Sequence, residues 1–91
     1  MNKKEYLQSK LGEAIFLNCV RWGYRGIVEE VSNDGVLLSN PNMIFESSSY
    51  TDVKVKEEYS IPSDLFISLD AIETILQPTW CFEGYDKKEK K

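Results

Sequence analysis

Apolar and polar residues alternate with a period of two along much of the chain, and this pattern predicts β-strands. The first two alternating runs are residues 14–20 and 24–31, and a third begins at 36–38. Two shorter runs, 65–69 and 72–76, follow an irregular middle part. The pattern therefore predicts a mainly β domain with five short strands.

The first residues have a different spacing, which predicts a short helix at about 2–11. Asn2 is a suitable N-cap, and Glu5 stands three residues later, as in a capping box. Gly12 then provides a natural end. A helix of this length is unstable alone, so we expect it to pack on the strands.

Turn and bend signals lie between the predicted strands. Residues 32–35 read Ser-Asn-Asp-Gly, a strong hairpin signal, and Gly26 inside the second run predicts a sharp bend or a close backbone approach. Pro41 cannot donate to a ladder and predicts an edge or a bulge. The stretch 47–63 is irregular, although 51–57 alternates and would extend a hairpin arm. These features suit a small, strongly bent antiparallel barrel.

The chain has 91 residues and a net charge of −4, and the charge is unevenly distributed. Residues 3–10 and 87–91 together carry a net charge of +5, whereas 12–86 holds thirteen acidic and four basic residues, a net charge of −9. So acidic a body repels phosphate groups unless its few cations are concentrated in one place. We expect a single domain over 1–86 and a disordered Lys-rich tail over 87–91.

Several classes of function are disfavoured by residue types. The chain has no His, the commonest general base and a common metal ligand, so neither an enzyme nor a metal or other cofactor is expected. No apolar run approaches the length of a membrane span, and the N-terminus lacks an apolar signal core, so a cytoplasmic protein without membrane contact is expected. Cys19 lies at an alternating strand position and is expected to be a small buried hydrophobe rather than a disulfide partner of Cys81.

An aromatic segment follows the last predicted strand, over about 77–86. It contains Trp80, Phe82 and Tyr85 beside Cys81. Exposed aromatic clusters of this size favour aggregation, so the segment is expected to pack either on its own barrel or on a neighbouring subunit.

The first predicted hairpin contains both arginines of the chain beside two aromatic residues. These residues are Arg21, Trp22, Tyr24 and Arg25. Arginine and aromatic faces hold unpaired bases by stacking and by cation–π contact, so this hairpin is a candidate RNA contact. The alternative is structural: the aromatics would cover the end of the barrel while the arginines pair with Glu29, Glu30 or a neighbouring subunit.

The order of these patterns resembles the Sm/LSm/Hfq family, in particular the Sm-like proteins from marine metagenomes that are attributed to cyanophages. The likeness is carried by Gly12, Ile15-x-Leu17-x-Cys19, Tyr24-x-Gly26-x-Val28, 36–38 and Ile67-x-x-Asp70-x-Ile72-x-x-Ile75. It implies an SH3-type Sm-like barrel of five strongly bent strands over about 13–76, after a short helix. It also implies a homo-oligomeric ring in which strand four of one subunit pairs with strand five of the next.

The same resemblance implies non-catalytic binding of single-stranded RNA, in RNA metabolism or its regulation. In related proteins two pore loops hold a uridine by stacking, amide hydrogen bonds and an arginine contact. Here the first loop, 32–35, is short and lacks the usual Asp and Met-Asn pair, and the Arg-Gly that commonly starts the later turn is Ser68-Leu69. Only Asn33 and Asp70 keep suitable chemistry.

The expected RNA contacts are therefore Arg21, Trp22, Tyr24, Arg25, Asn33 and Asp70. Asn33 and Asp70 also suit tight turns for purely structural reasons. A second hypothesis belongs to another class: an oligomeric scaffold whose acidic body binds a basic protein partner and whose aromatic segment is the adhesive surface.

Overall fold

The computed structural model describes residues 1–20, 22–47 and 55–85. Within these residues the chain forms a short helix, α1 (Lys3–Gln8), and the strands β1 (Ala14–Cys19), β2 (Gly23–Val31), β3 (Gly35–Ser47), β4 (Val55–Ser60), β5 (Leu65–Ser68) and β6 (Ile72–Leu76). Two 3₁₀ helices follow β5 and β6, at Leu69–Ala71 and Thr79–Phe82. The prediction of a mainly β fold with an N-terminal helix is confirmed.

All strand pairs are antiparallel, in the order β4-β3-β2-β1-β6, and β5 pairs with β3 outside this path. The predicted number of five strands is wrong, because the described sheet has six. The extra strand is β4, which lies in the part of the chain predicted to be irregular. It can form because β3 spans 13 residues, enough to pair with β5 at its start and with β4 at its end. The described sheet is not closed.

The predicted irregularities at Gly26 and Pro41 lie opposite each other in the β2–β3 ladder. The register changes from Arg25 opposite Asn42 to Ile27 opposite Ser39, which is a β-bulge. The prediction of a bulge at Pro41 is thus confirmed, although β3 continues through it. A Cβ at Gly26 would lie 3.1 Å from Leu38 Cβ and 3.2 Å from Ser39 O, so the close approach is confirmed as well.

Helix α1 begins as predicted but ends earlier. Asn2 Oδ1 accepts from Glu5 N at 2.8 Å and Asn2 N donates to Glu5 Oε1 at 3.0 Å, which completes the capping box. The helix ends at Gln8 rather than at residue 11, because the Ser9 N–H already bonds to Tyr6 O, three residues back, as well as to Glu5 O. The chain then turns to Gly12, whose φ of 83° suits glycine.

Two apolar clusters lie on opposite faces of β1. The larger cluster combines α1 with the inner residues of the strands: Leu7, Ile15, Leu17, Cys19, Val28, Val36, Leu38, Ile67 and Ile72. The smaller one contains Ala14, Phe16, Ile44, Trp80 and Cys81. Alternation in β1 predicts one buried face, but Phe16 on the other face is only 3% exposed, because the segment after β6 covers that face as well.

In the three described ranges, no helix has the length and apolar character that crossing a bilayer requires. The predicted tail 87–91 lies outside the described residues, as does most of the predicted hairpin arm 51–57.

Candidate functional site

Arg25 lies in the interior and every nitrogen of its guanidinium has a protein partner. Its Nε and Nη2 contact Glu58 Oε2 at 2.9 and 2.8 Å. Its Nη1 donates to the carbonyl oxygens of Trp80, Cys81 and Glu83, at 3.4, 3.1 and 2.6 Å. The side chain as a whole is only 7% exposed. Arg25 therefore binds the chain's own C-terminal segment and is not presented to an external ligand.

This placement corrects the prediction that Arg25 contacts RNA. For Arg25 the structural alternative, an ion pair within the chain, is the better hypothesis, but its partner is neither Glu29 nor Glu30. Glu29 accepts from the Ser39 hydroxyl at 2.9 Å, and the Arg25 partner is Glu58 on β4. The second predicted arginine, Arg21, lies outside the described residues.

Residues 79–85, here called the C-terminal cap, cover the outer face of β1. The Trp80 ring meets the Phe16 ring edge-on, with 5.2 Å between the ring centroids and 61° between the ring planes. Cys81 is fully buried, and its Sγ contacts Ala14 O at 3.7 Å. Burial raises the pKa of the Cys81 thiol to about 11. Within this chain the aromatic segment thus packs on its own sheet, as the first of the two packing hypotheses predicts.

Tyr85 binds the end of the C-terminal cap to β3. Its ring lies under the Arg25 guanidinium, 5.1 Å from the centroid to Cζ. Its hydroxyl donates to Asn40 O at 2.6 Å and accepts from Asn42 Nδ2 at 2.9 Å. Burial raises the pKa of Tyr85, although the positive charge of Arg25 lowers it. The cap is held by polar contacts at this end and by the Trp80–Phe16 contact at the other.

The predicted residues Asn33 and Asp70 lie in two turns that the structure brings together. The Leu69 N–H donates to Asp34 O at 3.0 Å, which joins the turn after β2 to the first 3₁₀ helix. Ser68 caps that helix by accepting from Asp70 N at 3.2 Å. Asn33 and Asp70 are both exposed.

Two lysines at the start of α1 contact these two turns. Lys4 Nζ donates to Asn33 Oδ1 at 2.8 Å, and Lys3 Nζ donates to Leu69 O at 2.8 Å. We call this surface the lysine edge; it comprises Lys3, Lys4, residues 32–34 and the 3₁₀ helix Leu69–Ala71. Sequence reasoning missed it because the two lysines were read only as part of a basic terminus.

The lysine edge contains two lysines and two exposed carboxylates, Asp34 and Asp70, and the hydrogen bonds of the two lysines described above are to neutral oxygens. The acceptors of Lys3 and Lys4 are an amide oxygen and a backbone carbonyl, neither of which carries a formal charge. Within the described residues, the ion pair that the structure contains is Arg25–Glu58. A lysine ammonium has three donors, so two on each lysine remain for another acceptor. These donors are the feature of the edge that suits an anion, and Asp34 and Asp70 are the carboxylates beside which it would bind.

Trp22 and Tyr24 line an open cleft of about 560 Å³ beside the lysine edge. Its walls are Cys19, Val20, Trp22 and Tyr24 from the β1–β2 hairpin, together with β5 and Ala71. Trp22 is 40% exposed and Phe66 of β5 is 56% exposed. We call it the aromatic cleft. The structure thus keeps two of the four predicted hairpin residues together at an accessible surface and separates Arg25 from them.

Lys3 connects the lysine edge with the aromatic cleft. Burial and the negative charge of Glu73 raise the pKa of Cys19, whereas the positive charge of Lys3 lowers it. Burial also raises the pKa of Tyr24, on the same wall. Ser68 and Ala71 line the cleft and flank Leu69, whose carbonyl holds Lys3. The two surfaces therefore form one continuous region.

Comparisons of the chain with protein-family models, with curated proteins and with solved structures gave no match. Among residues 1–20, 22–47 and 55–85, no group of three or more potential ligands is arranged to hold a metal ion. The candidate functional site of this chain is the surface formed by the lysine edge and the aromatic cleft.

Proposed function

We propose that this protein is an Sm-like, ring-forming protein that binds single-stranded RNA and catalyses no reaction. The observation that carries the proposal is the contact between the turn after β2 and the first 3₁₀ helix, through Leu69 N and Asp34 O. These are the two turns that the sequence resemblance assigns to RNA. Lys3 and Lys4 meet both of them and supply cations that the turns themselves lack.

The strand order is compatible with such a ring. Strands β4 and β5 pair with the two halves of β3, so together they correspond to one strongly bent strand interrupted at 61–64. Counted in this way, the six described strands would correspond to the five strands of an Sm-like barrel. Its two outer strands are then β4/β5 and β6, the pair that the resemblance joins between subunits. Pairing of this kind would also cover the free strand edges.

The chemistry favours a few localised contacts rather than a broad electrostatic surface. With a net charge of −9 over 12–86, the body would repel a nucleic acid that approached elsewhere. A ring would gather one lysine edge from each subunit, so that the hydrogen-bond donors of Lys3 and Lys4 would recur around its axis beside Asp34 and Asp70. Asn33 and the exposed aromatic rings would then provide hydrogen bonding and stacking.

The test is fluorescence anisotropy of fluorescein-labelled U-rich and A-rich RNA hexamers, titrated with the full chain at low and at near-physiological salt. The proposal predicts binding that persists at the higher salt and prefers one of the two sequences. Asn33→Ala should weaken this binding, and Ser63→Ala, in an exposed turn outside the lysine edge, is the matched control. Absence of binding to both RNAs at low salt would refute the proposal.

A protein scaffold is the second candidate function, because Arg25 is used inside the chain and the body is acidic. In this case the ring would bind a basic partner instead of RNA. Sedimentation velocity with a labelled oligolysine peptide distinguishes the two candidates. A salt-sensitive complex with the peptide, combined with no RNA binding, would favour the scaffold.

A further inference from the structure

We infer that a polar pocket at the bulge of β3 binds a basic side chain, with an ammonium or a guanidinium group, of a protein partner. We call it the bulge pocket; it has a volume of about 390 Å³ and is lined by 40–42, 60–64 and Tyr85. The inference goes beyond the proposed RNA binding and does not depend on it.

Contacts between three distant parts of the chain form the bulge pocket. The Ile61 N–H donates to Pro41 O at 2.9 Å, and the Tyr85 hydroxyl donates to Asn40 O at 2.6 Å. Asn40 has a φ of 48°, in the left-handed region that few residues other than glycine adopt and that Asn tolerates. Backbone conformations of this kind cluster at ligand sites, where the surrounding contacts hold them. These contacts fix the shape of the pocket.

Three of the lining side chains offer hydrogen-bond acceptors. Asp64 is exposed, and a carboxylate accepts hydrogen bonds without donating any. The proton of the Tyr85 hydroxyl is already donated to Asn40 O, so this hydroxyl can only accept a further bond. Asn42 Nδ2 already donates to the same hydroxyl, and Asn42 Oδ1 remains as an acceptor. A ligand that satisfies these groups must therefore be a donor.

The charges around the bulge pocket favour a cation. The described residues that line it include Asp64 and no lysine or arginine. Arg25, which lies over Tyr85, is paired with Glu58 at 2.8 Å, so this pair adds no net charge. The net charge of −9 over 12–86 would also attract a basic protein.

The donors of an organic cation match this pocket better than a metal ion does. A metal ion requires several anionic or neutral ligands, and the described part of the chain brings no three candidates together. An ammonium group has three N–H donors and a guanidinium has five, and either can bind one carboxylate and neutral oxygens at once.

The bulge pocket is compatible with the strand pairing of the proposed ring. Ser60 lies opposite Asn42, and Asn42 lies opposite Arg25, so these side chains share the face of the sheet that the C-terminal cap covers. The described residues of β5 do not line the pocket. Pairing between subunits would use the free edges of β4/β5 and β6, whereas the pocket lies between β3 and 60–64.

The test is a proton–nitrogen NMR titration of the full chain with three blocked tripeptides, in which the central residue is arginine, lysine or citrulline. At least one of the two basic peptides should shift the backbone amides of 60–64 and Tyr85 more than those of the other residues. Citrulline has the shape of arginine without its charge and should bind at least about tenfold more weakly than arginine. Absence of these shifts with both basic peptides, or equal binding of the citrulline peptide, would overturn the inference.

A pair of matched variants tests the role of the carboxylate. Asp64→Asn removes the charge and keeps the shape of the side chain, so the affinity for the preferred basic peptide should fall at least about tenfold. Glu30→Gln removes one exposed charge outside the bulge pocket and should leave this affinity unchanged. Both positions are exposed, so both variants should fold, which thermal unfolding checks. Equal affinities of the two variants would overturn the inference.

A third variant separates a partner from the chain's own lysines, which begin again at residue 87, two residues after Tyr85. The amides of 60–64 should be the same in Lys87→Gln/Lys88→Gln as in the unaltered protein before any peptide is added. A change at these amides would identify the chain's own end as the occupant and would overturn the inference of a partner. These measurements use no RNA, so a failure of RNA binding would refute the proposed function and leave this inference standing.

Discussion

The C-terminal cap and the lysine edge both contain cations, and they use them in opposite ways. Under the C-terminal cap, Arg25 lies over Tyr85 and is fully engaged by Glu58 and by backbone carbonyls. At the lysine edge, Lys3 and Lys4 contact neutral oxygens beside a cleft with exposed rings. Residue types alone therefore do not identify a binding site. Burial and charge neutralisation decide which cations remain for a ligand.

The physical reason for the difference is desolvation. A charge that is taken out of water must be paired and hydrogen-bonded, otherwise it destabilises the fold. The Arg25 guanidinium has five N–H donors in a rigid fork and can satisfy several acceptors at once. An exposed lysine keeps its hydration and can exchange it for a phosphate.

The largest effect is expected from removing the charge of Arg25. Arg25→Met keeps an apolar stem but leaves Glu58 and the carbonyls of the C-terminal cap without their donor. We expect a loss of about 3–5 kcal/mol in the free energy of unfolding, measured by urea denaturation. Arg25→Lys should recover less than half of it, because one ammonium cannot reach Glu58 and the carbonyls of Cys81 and Glu83 together. A variant as stable as the unaltered protein would show that the cap is not fastened by this residue.

The two tryptophans provide the next comparison. Trp80 is 5% exposed and packs on Phe16, whereas Trp22 is 40% exposed. Trp80→Ala should cost about 3 kcal/mol of stability through the cavity that it leaves. Trp22→Ala should cost less than about 1 kcal/mol. Equal losses in thermal or urea unfolding would contradict the contrast between a buried cap and an open cleft.

The pH dependence of the unfolding free energy shows whether water reaches the Cys81 thiol under the C-terminal cap. Burial raises the folded-state pKa of Cys81 from 9.0 to about 11, so the thiol favours folding while it stays protonated. Below pH 9 the protonated thiol contributes its full stabilisation to the unfolding free energy. This contribution, on the order of 2 kcal/mol, is lost as the pH rises from 9 to about 11. The stability advantage of the unaltered protein over Cys81→Ala should therefore shrink across this range. A constant difference between the two unfolding free energies would indicate a solvated thiol.

The smallest effect on stability is expected at the lysine edge. The double variant Lys3→Gln/Lys4→Gln removes two hydrogen-bonding cations, Lys3 exposed and Lys4 half-buried, and should cost less than about 1 kcal/mol in urea unfolding. A loss as large as that of Arg25→Met would mean that these lysines hold the fold together.

The local features of the fold could be predicted from the sequence because their signals are local. Asn2 and Glu5 stand three residues apart and form the capping box, and β6 begins and ends at the predicted residues, Ile72 and Leu76. The bulge opposite Gly26 follows from the properties of Pro41. In each case the side chain that determines the local structure lies in the same helix or strand, or in the strand paired with it in a hairpin.

The candidate site could be predicted only in part, because its contacts join distant parts of the chain. Glu58 is 33 residues from Arg25, and Asn33 is 29 residues from Lys4. Alternation shows that a strand is buried on one face but not what covers the other. The sequence therefore identified Trp22, Tyr24, Asn33 and Asp70 as candidates, but it could not reveal that Arg25 turns inward.

The most direct test of the central claim is a comparison of two double variants in RNA anisotropy, both of which remove two positive charges. Lys3→Gln/Lys4→Gln changes the lysine edge, and Lys87→Gln/Lys88→Gln changes the basic terminus far along the chain. We expect the first variant to weaken binding of the preferred hexamer at least about tenfold and to lower the salt dependence of binding. We expect the second to retain nearly full affinity. Equal losses in both variants, or no loss in the first, would contradict the account.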